Sequence, residues 1–90
     1  MNPGRKIEWS AKAIKDMRRI AVTDRARIIS KVEQYALNPS AFANQVISLI
    51  GSQYRRLRVG KYRVIFKWDQ AGELTVMVVL RVRHRREAYV

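Results

Sequence analysis

From Tyr54 onward apolar residues recur at every second position, and two glycines, Gly60 and Gly72, break the run where a strand would have to turn. A period of two is the mark of a half-buried β-strand, whose successive side chains leave opposite faces. Tyr54 to Val59 sets Tyr54, Arg56 and Arg58 on one side and Arg55, Leu57 and Val59 on the other. Gly60-Lys61 is a two-residue hairpin connection, with glycine supplying the positive φ such a turn needs. Tyr62 to Trp68 then carries Tyr62, Val64, Phe66 and Trp68 on one face and Arg63, Ile65 and Lys67 on the other. Asp69 to Gly72 reads as a longer turn. Leu74 to Leu80 is β-branched and almost continuously apolar, which places it centrally in the sheet.

The first half follows another period. Lys6 to Trp9 reads as a short strand, and Ser10 as the N-cap of a helix to about Ile20, with Trp9 and Ile14 spaced as a hydrophobic staple. Ile14, Met17 and Ala21 form its expected inner stripe. Thr23 is placed to cap a second helix, and Asp24 lies in its first turn, where the helix dipole favours a negative charge. Its apolar face comprises Ile28, Ile29, Val32, Tyr35 and Ala36, and Asn38-Pro39 stops it. Ser40 to Asn44 reads as a loop and Val46 to Ile50 as a short extended piece. The expected fold is α+β, in the order β-α-α-β-β-β, with a small antiparallel sheet against two N-terminal helices. Ninety residues suffice for one domain, expected to span 1–90 with residues 1–5 flexible.

Charge narrows the function. Nineteen basic residues against seven acidic ones give a net +12, and ten of those bases, eight of them arginine, lie between Gly51 and Val90. The planar guanidinium fork matches phosphate oxygens, so a polyanion is the expected partner. Cysteine is absent, His84 is the sole histidine, the carboxylates are scattered and the glycines stand alone, which leaves no metal cage, thiol nucleophile or glycine-rich phosphate loop. Neither a metal nor a cofactor is expected. No apolar run approaches the ~20 residues of a membrane helix. The opening MNPGRKIEW lacks the apolar stretch of a secretory signal, so a cytoplasmic location without membrane contact is expected.

A metal-free site of Arg, Lys, Tyr and His suits attack of a ribose 2′-hydroxyl on its own phosphodiester. That reaction needs a proton acceptor, cations around the transition state and a proton source for the leaving 5′-oxygen. Arg63, Arg83 and Arg85 supply cations, and His84 or Tyr89 can move protons. Residue chemistry alone ranks passive RNA or phosphate binding ahead of cleavage.

Gly51 followed by Tyr54 to Phe66, with "LRVGKYRVIF" at its centre, and the closing Val82 to Tyr89, with "HRREAY", resemble the RelE/ParE toxin superfamily on its RelE side. The resemblance runs from the opening strand to the tail and implies endoribonuclease activity on mRNA in the ribosomal A site. It also implies contact with rRNA, neutralisation by a cognate antitoxin and approach to operator DNA only through the antitoxin complex. It makes Arg63 the arginine that stabilises phosphate charge, Arg83, two residues after the last strand, a second catalytic arginine, and Tyr89 the phenol at the 2′-hydroxyl. Arg56 and Arg58 fall on a basic strand before the hairpin; with Lys61 and Arg85 they are expected to contact RNA phosphates. His84 matches a histidine of many relatives, which leaves the general acid open between Arg83 and His84. The alternative within the superfamily is a ParE-like DNA gyrase inhibitor that cuts nothing.

Overall fold

The computed structural model describes residues 5–49 and 51–87. The strand β1 (Arg5–Trp9) leads into the helices α1 (Ala11–Arg18) and α2 (Val22–Leu37) and a 3-10 segment over Pro39–Gln45. Four strands follow: β2 (Val46–Ser48), β3 (Arg55–Val59), β4 (Tyr62–Ala71) and β5 (Leu74–His84). They form one sheet in the order β1-β5-β4-β3-β2, antiparallel except where β1 runs parallel to β5. The α+β reading therefore holds, with a fifth strand and a parallel pair added. Period two reveals a strand without revealing its neighbour, which is why the β1–β5 pairing was not legible.

The helices cover one face of the sheet. Ala13, Met17 and Ile20 from the α1 region and Ile28, Val32, Tyr35 and Ala36 from α2 meet Leu57, Val59, Val64, Phe66, Met77, Val79 and Val82 in a single core. Tyr35 meets Phe66 edge-on at 5.2 Å between ring centroids. The expected helix stripes are rotated slightly: Ile14 is 43% exposed and Ile29 37%, while Ala13 and Ile20 take the inner positions. Ser10 does cap α1, accepting from the Ala13 amide at 3.1 Å. The second helix starts two residues earlier than expected, with Ala21 and not Thr23 at its cap and no side-chain cap bond. Arg25 reaches back to the carbonyl of buried Ile20 at 3.0 Å and closes the short link between the helices.

Both hairpins turn on glycine in the left-handed region, Gly60 at φ 55° and Gly72 at φ 63°. The second turn is tighter than the sequence suggested, because Asp69 to Ala71 remain paired with Leu74 to Val76. The last strand also runs on past Leu80 to His84, so Arg83 lies within β5 and not beyond it. One irregularity interrupts the β4–β5 ladder: Phe66 pairs with Val79 and Ile65 with Arg81, leaving Leu80 unmatched as a one-residue bulge.

Leu57 is fully buried at the centre of this core. Leu57→Ala is expected to lower unfolding free energy by about 3 kcal/mol, read as a lower urea midpoint with an unchanged slope.

Candidate functional site

The sheet face turned away from the helices collects arginines because the alternation that buries Leu57, Val64 and Val82 sends their neighbours the other way. Arg58 pairs with Arg63, and Arg63 pairs with Arg83, so three guanidinium-bearing residues from β3, β4 and β5 stand in one cross-strand row. Directly opposed residues have Cβ atoms about 4.5–5.5 Å apart. The next row holds Arg56, Ile65 and Arg81. Like charges in register repel, so this arrangement costs stability and concentrates positive potential where an anion can approach. Arg58 and Arg63 form no ion pair among the described residues.

The guanidiniums then diverge in detail. Arg63 curls toward its own hairpin, Nη1 donating to the carbonyls of Gly60 at 2.8 Å and Tyr62 at 2.9 Å. It lines a cleft of about 120 Å³ with Arg56, Arg58, Ile47, Asn44 and Gln45, the last two from the end of the 3-10 segment. Arg83 leans to the outer edge of β5, 3.9 Å from Glu87. There it shares a second cleft, about 210 Å³, with Asp16, Arg19, Tyr62, Arg81, His84 and Glu87.

His84 leaves the strand on the side opposite Arg83. Its ring meets Tyr62 edge-on at 5.6 Å, and its Nδ1 accepts from the Arg86 amide at 3.2 Å. That bond assigns the neutral ring's proton to Nε2. Glu87 closes the turn by accepting from the His84 amide at 3.1 Å. Lys61 sits on the hairpin tip and lines a separate cleft with Asp24, Arg27 and Tyr62 on the helix side, away from Arg56 and Arg58. Arg85 is exposed, and its amide donates to the Lys61 carbonyl at 2.7 Å, tying the tail to the hairpin. Tyr89 lies outside the described residues. Burial, and then the Asp24 carboxylate to which its hydroxyl donates at 3.4 Å, raise the Tyr62 phenol above its ordinary value, which disfavours it as a base.

Asp16 is the residue that the sequence reading passed over. It receives Nε of Arg81 at 2.8 Å, Nη2 of Arg81 at 3.1 Å and the Val82 amide at 2.9 Å. Burial opposes its ionisation, but the Arg81 bond, the Val82 amide and the charges of Arg81 and Arg83 together outweigh it and hold the carboxyl below its ordinary value. The bond to Asp16 in turn raises Arg81. Its signal in the sequence is faint: a single acid in a helix with Lys12, Lys15 and Arg18. Among the described residues no three His, Cys, Asp or Glu side chains group as a metal would require, and no helix is long and apolar enough to cross a membrane.

The model of the ParE toxin of the type II toxin–antitoxin system parDE matches residues 7–89. The chain belongs to the RelE/ParE superfamily of type II toxin–antitoxin toxins. Solved structures share the superfamily fold. The archaeal RelE–RelB complex of Pyrococcus horikoshii OT3 aligns with a TM-score of 0.73 at 20% identity, over 91% of this chain and 96% of that one. The YoeB/ParE toxin of Agrobacterium tumefaciens aligns at 0.70 and 18% identity, over 88% and 96%. The intact E. coli RelBE toxin–antitoxin complex aligns at 0.65 and 22% identity, over 87% and 93%. No curated protein matches the sequence.

Because the folded state holds the Asp16 carboxylate below its unfolded pKa, its stabilisation is present above the unfolded value and fades as pH falls through the folded one. At neutral pH, Asp16→Asn is expected to cost about 2 kcal/mol, or roughly 10 °C in Tm for a domain of this size. Thermal scans should show the gap to the parent closing in acid; a gap that ignores pH would assign the loss to packing.

Proposed function

We propose that this toxin is an endoribonuclease that cuts mRNA in the ribosomal A site by transesterification. The observation that carries the reading is the row Arg58, Arg63 and Arg83, which brings three arginines from three adjacent strands into register on the face away from the helices. A structural role does not account for like charges in register, whereas a phosphodiester passing into the transition state does, because negative charge accumulates on its non-bridging oxygens. The 2′-oxygen attacks phosphorus and gives up its proton to the Tyr89 phenolate, which the massed arginines favour, and the bond to the 5′-oxygen breaks. That oxygen takes a proton from Arg83 or His84, leaving a 2′,3′-cyclic phosphate and a 5′-hydroxyl. Arg63 stabilises the phosphorane-like charge, and Arg56, Arg58, Lys61 and Arg85 hold flanking phosphates or rRNA.

Sparse acid–base groups favour dependence on the ribosome, which supplies the in-line orientation that the toxin cannot impose. His84 has Nδ1 occupied by the Arg86 amide, so Nε2 is the ring nitrogen left to face the leaving oxygen, and the ring must be protonated to serve as the acid. The toxin works in the cytoplasm, opposed by a cognate antitoxin whose acidic or amphipathic segment covers or distorts the basic face, and it meets operator DNA only through that complex.

The ParE model match favours a second reading, inhibition of DNA gyrase without cleavage. Mapping message ends after induction separates the two. Cuts within codons bearing cyclic phosphate support the nuclease, and intact message with DNA damage supports the gyrase reading. Arg63→Ala and Arg83→Ala are each expected to slow cleavage by about 10²–10³-fold, and Tyr89→Phe to abolish most of it. If all three variants arrest growth as the parent does, the assignment fails.

A further inference from the structure

Strict alternation from Met77 and Val79, both in the core, would send Arg81 and Arg83 into the core and Val82 outward. The reverse is seen: Val82 is 3% exposed and Arg83 stands opposite Arg63. The bulge at Leu80 makes the difference, since one extra residue reverses the facing of everything after it. Two side chains from the α1 region secure that bulge. Ser10 Oγ donates to the Leu80 carbonyl at 2.8 Å while its amide donates to the Val79 carbonyl at 2.9 Å. Asp16 grips the next turn of strand through the Val82 amide at 2.9 Å and Arg81 Nε at 2.8 Å.

We propose that Asp16, seconded by Ser10, is a positioning residue that locks the Leu80 bulge and thereby presents Arg83 to the substrate phosphate. The proposal rests on the nuclease reading for its effect on rate, and on geometry alone for the placement of Arg83. Asp16 acts through the strand, since its carboxylate oxygens are taken up by Arg81 and the Val82 amide. Its carboxylate also withdraws Arg81 toward α1, so that Arg83 is the β5 arginine held only by a long contact to Glu87 at 3.9 Å.

The test is single-turnover cleavage of message on programmed ribosomes by the full chain at saturating toxin, in a double-mutant cycle. Asp16→Ala is expected to slow the step by roughly tenfold to a hundredfold with little change in half-saturating toxin. In an Arg83→Ala background the same change is expected to have almost no further effect on rate, while its loss of Tm persists undiminished. Equal slowing in both backgrounds, or no slowing in either, overturns the proposal. Should Asp16→Ala fail to fold, Ser10→Ala, which removes the other bond to the bulge at the Leu80 carbonyl, carries the same cycle. A second readout needs no RNA: the cross-strand backbone NOEs that pair Arg83 with Arg63 in the free chain should be lost in the Asp16 variant while those that pair Arg58 with Arg63 stay in place. Unchanged Arg83–Arg63 NOEs sink the positioning role even if the parent proves inactive as a nuclease, and their loss sustains it, so the two failures are distinct.

Discussion

β5 loses its parallel neighbour after Val79, and the polar backbone groups on that outer edge must then be satisfied by something other than a strand. The α1 region provides the substitute. Ser10 takes the Leu80 carbonyl and Asp16 the Val82 amide, so side chains complete a ladder that backbone no longer continues. An edge capped in this way offers no template for pairing with other chains. The same bonds seat the helix against the sheet and bring Ala13 and Met17 over Val79 and Val82 in the core. The face on which Arg83 stands is settled at the bulge beside this edge.

The arginine row has an energetic meaning of its own. Arg58, Arg63 and Arg83 in register gain nothing from one another, and the open face offers little acid nearby, since Lys67 claims Asp69 at 3.4 Å and Asp16 is bound to Arg81. Arg63 is quieted by backbone carbonyls, and Arg83 by a long contact to Glu87. These are weak restraints that a phosphate can displace at small cost, because an exposed ion pair is worth at most about 1 kcal/mol. A surface under such self-repulsion binds polyanions strongly and loses them as salt rises.

How much of this was legible in the sequence depended on the range of the interactions involved. The face of Arg63 could be read directly, because β4 keeps an unbroken alternation and Gly60 marks its start. Asn38-Pro39 stopped α2 for a local steric reason, and the helix does end at Leu37. Arg83 was placed past the end of a strand because Arg81, Arg83 and His84 look like tail, and nothing local shows that a helix side chain keeps them in the ladder. Leu80 resembles any apolar strand residue, so the bulge left no trace in composition. The N-terminus of α2 was shifted because Arg25 binding the Ile20 carbonyl outweighed the capping preference of Thr23.

The partnership of the first strand with the last has a bearing on biosynthesis. Ser10 finds Leu80 across 70 positions, and Arg5 finds Thr75 over a similar interval. Contacts of such long range close late, after the loop entropy between them has been met. While a ribosome is still making this polypeptide, α1 has no strand edge to dock on and the guanidiniums have no common face. The helical edge cap and the arginine row therefore take their places only once β5 has been made.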